Sequence, residues 1–192
     1  EKSDLVFQWS CGTPPASTYI KKLLEQYPLK QISVKDIVEE CGINRNSFYY
    51  HFADIPSLIN EIMVENADRI IEEYAGADSL EKCLTAAAQF ALRNKKSVLH
   101  VYKSASRELV ELQLMKICEH VVSSYGKAVF GGIDIDERDR EILQRFYKCE
   151  LFGQIIDWLN CDMRYDIQSQ FSRLCEIQDS ITASAIQKCI SK

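Results

Sequence analysis

The sequence predicts an all-α protein: an N-terminal three-helix helix-turn-helix domain, then a larger α-helical domain for ligand binding and dimerisation. Three observations predict it. Only seven Gly and four Pro occur in 192 residues, while Leu, Ile, Glu, Lys and Gln are frequent, a composition that favours helix throughout. Apolar residues recur at spacings of three and four in one segment after another, the period of amphipathic helices. Residues 33–52 read as two short helices joined by a tight turn that contains a glycine. With 46% hydrophobic residues, the chain has the material for a sizeable core.

Residues 1–16 read as an N-terminal arm. Val6, Phe7 and Trp9 are apolar, but Cys11-Gly12-Thr13-Pro14-Pro15 breaks any helix. Such an arm packs on the body, reaches outward or stays disordered. The first helix is expected over residues 17–26, with Ile20, Leu23 and Leu24 on one face and Tyr27-Pro28 as its stop. Ser33 followed by Asp36 is a capping-box start for the second helix, and the acid suits the positive end of the helix dipole. Ile37 and Val38 supply its apolar side. Gly42 ends it, because glycine takes the left-handed conformation without steric cost. Ile43 plugs the turn and Asn44 caps the third helix.

The third helix runs from Arg45 to about Phe52. At roughly 100° per residue, Phe48 and Phe52 share one side. Asn46 and Tyr50 lie opposite, with Arg45, Ser47 and Tyr49 on the flanks. One face is hydrophobic. The other, made of Arg, Asn, Ser, Tyr and His51, has the side chains that donate to phosphates or read base edges in a major groove. Spacing alone fits a helical hairpin in an ordinary core as well. The ending Phe48-Tyr49-Tyr50-His51-Phe52 holds more aromatic surface than packing of so small a helix requires.

A fourth helix, residues 54–75, starts on Asp54 as N-cap with Pro56 tolerated in its first turn. At 1.5 Å per residue it is about 30 Å long, a rigid connection between the head (residues 17–53) and the body (residues 76–192). Body helices are expected over 79–93, 96–103, 106–130, 136–160 and 164–190. The last two are long and joined by a short connection, so they pack antiparallel.

Charge and side-chain chemistry exclude several classes. The net charge of −5 argues against a general nucleic-acid binder. Residues 17–53 carry five bases (Lys21, Lys22, Lys30, Lys35, Arg45) against four acids (Glu25, Asp36, Glu39, Glu40), so the acidity lies elsewhere. Eight cysteines at 11, 41, 83, 118, 149, 161, 175 and 189 form no C-x-x-C pair. That spacing is neither a disulfide framework nor a zinc site, and they read as small buried hydrophobes. His51, His100 and His120 are scattered, so no metal site is expected. No paired carboxylates and no Ser/His/Asp constellation point to catalysis, and no cofactor is expected. No apolar stretch is long enough to span a membrane and no signal segment opens the chain, which gives a cytoplasmic expectation.

The arrangement Ser33, Asp36-Ile37, Gly42 and Phe48-Tyr49-Tyr50-His51-Phe52 resembles the DNA-binding motif of the TetR family of bacterial transcriptional regulators, over residues 16–63. The resemblance implies that the helix bearing Asn44–His51 is the recognition helix. It implies DNA contacts from Asn44, Arg45, Asn46, Ser47, Tyr49, Tyr50 and His51, with Ser33 and Val34 on phosphate. Asp54-Ile55-Pro56 departs from the family, which often has a lysine opening the next helix on a phosphate; Lys30 and Lys35 are the substitutes. Residues 146–166 resemble a subgroup that includes the dihydroxyacetone-kinase operon activator. The resemblance further implies a homodimer built by the last two helices, a double-stranded DNA operator read as a pseudo-palindrome, and a regulator of repressor type that responds to a small-molecule effector. Candidate pocket liners are Phe90, Leu99, Tyr102, Met115, Tyr125, Phe146, Tyr147, Phe152 and Trp158, each of which would serve equally as core. The alternative is a helical co-regulator that acts mainly through protein–protein contacts.

Overall fold

The computed structural model describes residues 16–74, 80–104, 107–130, 136–174 and 176–177. The expected arm, apart from Ala16, lies outside them. The helices are α1 (Ala16–Gln26), α2 (Val34–Cys41), α3 (Arg45–His51), α4 (Ile55–Glu73), α5 (Leu80–Arg93), α6 (Lys95–Tyr102), α7 (Arg107–Phe130) and α8 (Glu137–Asn160). A last helix, α9, covers residues 167–174. No strand occurs among the described residues.

Chain contacts divide the protein into two compact units. One comprises residues up to Glu65 together with Asn94–Val110; the other comprises Asn66–Arg93 with Glu111–Lys192. The boundaries therefore fall inside α4, between α5 and α6, and inside α7, whereas the sequence placed the head at residues 17–53, α4 as a connector and the body from residue 76. The difference arises because α6 packs on α1.

The head unit has a continuous core. Ile20, Leu24, Ile32, Ile37, Phe48 and Phe52 are buried together with Leu29, Val38, Cys41, Leu58 and Ile59, and Leu23, Ile43 and Val101 pack against them. Phe48 has no exposed surface. α6 is tied to α1 by the His100 Nδ1–H, which donates to the Leu24 carbonyl at 2.8 Å. A carbonyl only accepts, so this contact fixes the proton on Nδ1. Leu24 belongs to the last turn of α1, where carbonyls lack an intrahelical partner; His100 supplies one. Tyr102 is buried, and its hydroxyl accepts a hydrogen bond from Arg107 at 2.9 Å.

In the second unit, the Tyr125 hydroxyl donates to the Tyr74 carbonyl at 2.9 Å, just past the end of α4. Cys83, Cys118, Val121, Leu151, Trp158, Met163, Ile167 and Phe171 are among its buried residues. The turn after α8 is tightly specified. Asp162 and Met163 both adopt positive φ, 56° and 53°, and their N–H groups bond back to the Leu159 and Trp158 carbonyls, as at a left-handed helix terminus. The Trp158 indole N–H donates to the Tyr165 carbonyl at 3.0 Å, and the Tyr165 hydroxyl to Asp157 at 3.0 Å. Burial, then the Asp157 hydrogen bond, push the Tyr165 phenol up to about 12. Asp166 caps α9 by accepting from the Gln168 and Ser169 N–H groups. This turn is longer than the expected connection at 160–163, and α9 opens at residue 167 rather than 164.

Two expectations need amendment. Cys41, Cys83 and Cys118 are buried, but Cys149 and Cys161 are exposed; Cys11, Cys175 and Cys189 lie outside the described residues. Phe146 was a candidate pocket liner, yet it is 59% exposed. It continues a surface stripe on α8: Ile142, Phe146, Cys149 and Gly153 are exposed and Ile156 half-buried, at spacings of four, three, four and three. Nothing lies within 4 Å of where a Cβ on Gly153 would stand.

Candidate nucleic-acid interface

Local chemistry builds α2 and α3 as a rigid pair. The Ser33 backbone N–H and hydroxyl donate to the Asp36 carboxylate at 2.8 and 2.6 Å, while the Asp36 N–H donates to Ser33 Oγ at 3.3 Å. These bonds, the Ser33 hydroxyl first, hold the Asp36 carboxyl below its ordinary value of 3.8. Gly42 closes α2 at φ 69°, and its N–H returns to the Glu39 and Val38 carbonyls. Asn44 then caps α3 through its Oδ1, which accepts from the Ser47 N–H at 2.9 Å and from the Ser47 hydroxyl at 3.2 Å.

With its ends fixed, α3 turns two faces in opposite directions. Phe48 is fully buried and stacks at a tilt on Phe52, with ring centroids 5.6 Å apart. Tyr50 is 85% exposed and Tyr49 56% exposed. Arg45, Asn46 and Asn44 are exposed, while Ser47 and His51 are half-buried. The Tyr50 and His51 rings meet edge to face at 4.9 Å. The structure thus brings Asn44, Arg45, Asn46, Tyr49 and Tyr50 to one solvent-facing surface, with Ser47 and His51 at its margin. That surface holds amide, guanidinium and phenol groups in a helix short enough to enter a major groove.

The phosphate candidates are less open. The Ser33 hydroxyl proton is already given to Asp36. Val34 is half-buried, and at the first turn of α2 its backbone N–H lies where a helix has no internal acceptor. Lys35 is exposed and pairs with Glu39 at 3.6 Å. Lys30 is exposed in the short 3-10 turn Leu29–Gln31.

The start of α4 is closed. Asp54 Oδ1 accepts from the Ser57 N–H at 2.8 Å, the Asp54 N–H donates to Ser57 Oγ at 3.2 Å, and the Ser57 hydroxyl donates to the Asp54 carbonyl at 2.8 Å. The Leu58 N–H takes that same carbonyl at 3.3 Å. Pro56 has no N–H to offer, and Ile55 packs against the head core.

The expected effector liners fall in both units. Leu99 and Tyr102 are in the head unit; Phe90, Met115, Tyr125, Tyr147, Phe152 and Trp158, like Phe146, are in the other. Tyr125 and Trp158 are buried with their polar groups already bonded. Two depressions stand out among the described residues. One is an apolar crevice of about 20 Å³ beside Leu29, Pro56, Ile59, Met63 and Leu109 in the head unit. The other is an open polar groove of about 520 Å³ in the second unit, lined by Thr85, Asp166, Gln168, Ser169, Ser172, Arg173 and Glu176. Neither is lined by a residue from the expected set. Among the described residues, no group of three or more His, Cys, Asp or Glu side chains is placed to hold a metal ion. No described helix is long and apolar enough to cross a membrane.

Comparison with known proteins meets this geometry. Residues 20–62 match the family of bacterial regulatory proteins of the tetR type, and residues 78–180 match the transcriptional regulator C-terminal region of such proteins. Among solved structures, the dihydroxyacetone kinase operon activator DhaS superposes with a TM-score of 0.67, covering 86% of this chain and 94% of that one. The two are 16% identical, which is a likeness of fold. No curated protein matches the chain significantly.

Proposed function

The chain belongs to the TetR family of bacterial regulatory proteins, DNA-binding transcription regulators, and from that premise we propose that it acts as a homodimer that reads a pseudo-palindromic operator with one α3 per half-site. The observation that carries this reading is the pair of opposed faces on α3, with Phe48 fully buried and Tyr50 85% exposed. Asn44, Arg45, Asn46, Ser47, Tyr49, Tyr50 and His51 are the proposed contacts to bases and phosphates, with Val34 and Lys35 on the backbone and Ser33 fixing the start of α2.

Dimerisation is supported by the stripe on α8. Its residues alternate at the spacing of a helix-to-helix seam. Gly153 in the middle of a helix costs about 1 kcal/mol relative to alanine, a cost that close approach of a second helix accounts for. Ile177, near the end of the described chain, adds exposed apolar surface. α8 and the helix that follows it, paired with the same two from a second copy, then make a four-helix bundle. A small-molecule effector held in the second unit would bias the separation of the two heads; it regulates only to the extent that it prefers one separation.

A second reading, a co-regulator that works by protein–protein contact, draws on the closed acidic start of α4 and on the exposed Leu109 and Leu112 of α7. Selection from a random-sequence duplex pool at 50 mM salt, followed by a salt titration on the enriched duplex, separates the two. Recovery of a two-fold symmetric sequence supports the operator reading. No enrichment by an intact dimer sinks it.

A further inference from the structure

We propose that Asp54 limits the affinity of this protein for DNA: its carboxylate is a fixed negative charge beside the reading helix, held in a cap that takes up the Asp54 and Ser57 donors at the start of α4. The inference rests on α3 being the element that enters the groove.

Asp54 is three residues beyond His51, the last residue of α3. Three residues span at most about 11 Å however the chain runs. A helix seated in a major groove about 12 Å wide has a phosphate strand on either side. At 0.1 M salt the screening length is about 10 Å. A charge so close to the end of α3 therefore acts on those phosphates. Asp54 is exposed, and its carboxylate is held in place by the Ser57 N–H.

The start of α4 offers little to offset that charge. A helix start usually attracts an anion because its first N–H groups point outward unpaired. Here the Ser57 N–H goes to Asp54 Oδ1 and the Asp54 N–H to Ser57 Oγ. Position 56 is proline, and the Ile55 side chain turns to the core. The positive end of α4 is thus largely spent on its own cap, with the Ile55 N–H the donor left in its first turn.

The cap does not need the charge. Asn44 caps α3 with the same spacing and the same contact, Oδ1 to the N–H of a serine three residues on. Asparagine is as good an N-cap as aspartate. A neutral amide at position 54 would keep the helix start and lose only the charge. In a dimer two such charges act.

The test uses the full-length chain and the duplex enriched by the wild type, with binding followed by fluorescence anisotropy from 50 to 500 mM NaCl. Asp54→Asn is expected to bind about three- to tenfold tighter at 50 mM, with a steeper dependence of log K on log salt, by about one to two ions per dimer, so that the curves meet at high salt. Asp54→Ser, a second neutral cap, gives the same gain. Equal affinity of Asp54→Asn and wild type at 50 mM, with unchanged melting temperature, overturns the proposal. So does a gain with Asn that Ser does not reproduce, because it would report a new amide contact rather than a lost charge. If the wild type enriches no duplex, the reading of α3 fails and the proposal falls with it.

Discussion

Phe48 and Tyr50 are two residues apart on α3 and face opposite ways, the first with no exposed surface and the second 85% exposed. That relationship separates stability from recognition within a single turn of helix. Phe48→Ala should destabilise the head by about 3–5 kcal/mol, the usual cost of emptying a buried phenylalanine site. Tyr50→Ala should leave the melting temperature within about a degree or two while weakening binding to the selected duplex by about tenfold or more. Thermal melts and anisotropy on the same samples check both. A large loss of stability from Tyr50→Ala would show that the polar face of α3 has been misassigned.

His100 holds α6 to the head by donating to the Leu24 carbonyl. Its replacement by alanine leaves that half-buried carbonyl short of a donor, which should cost about 1–2 kcal/mol. The loss should appear locally. Hydrogen exchange is expected to accelerate in the last turn of α1 and in α6 together, because the two helices share the contact. Acceleration confined to α6 would mean that α1 does not depend on the bond.

Asp36 gives the head a defined response to acid. Its folded-state pKa lies below the ordinary 3.8, chiefly through the Ser33 hydroxyl. A depressed carboxylate contributes stability that is present above the unfolded-state pKa and is lost as pH falls through the folded-state pKa. The gap in melting temperature between wild type and Asp36→Asn should therefore be constant above about pH 5 and close below pH 3.8. A gap that persists unchanged at pH 3 would assign the effect to packing instead.

The α8 stripe predicts the consequence of one charge. Phe146→Glu should convert a dimer to a monomer in light scattering, since it buries a carboxylate in an apolar seam. Site-resolved alkylation offers a second reading of the same surface. Cys149 lies on the stripe and should react slowly in the wild type and fast in Phe146→Glu. Cys161, exposed beyond the end of α8, should react fast in both. Equal rates for Cys149 in the two proteins would place the dimer seam elsewhere.

The head was legible because its signals are local. Ser33 with Asp36, Gly42, and Asn44 with Ser47 are each resolved within four residues, and the chain uses them as read. The core of Ile20, Leu24, Ile37, Phe48 and Phe52 follows from helical spacing in the same way. The docking of α6 on α1 was not legible. His100 and Leu24 are 76 residues apart, and neither has a local pattern that points to the other. The exposure of Phe146 and Cys149 was hidden for a different reason. Helix α8 is apolar on more than one side, so spacing identifies a helix without saying which stripe faces its own subunit. The effector set suffers from the same ambiguity, since a buried aromatic reads alike whether it fills a core or lines a cavity.

Burial of Cys41 has a bearing on chemistry rather than packing. It lies in the head core, where burial and then the nearby Glu40 raise its thiol to about 11. At neutral pH the thiolate, the form that attacks peroxides and disulfides, is present at on the order of one part in ten thousand. Cys118, raised to about 12 by burial, is quieter still. Cys41, in the head core, is thus sheltered from oxidative damage, and of the described thiols Cys161, exposed beyond the end of α8 and off the stripe, meets an oxidant first.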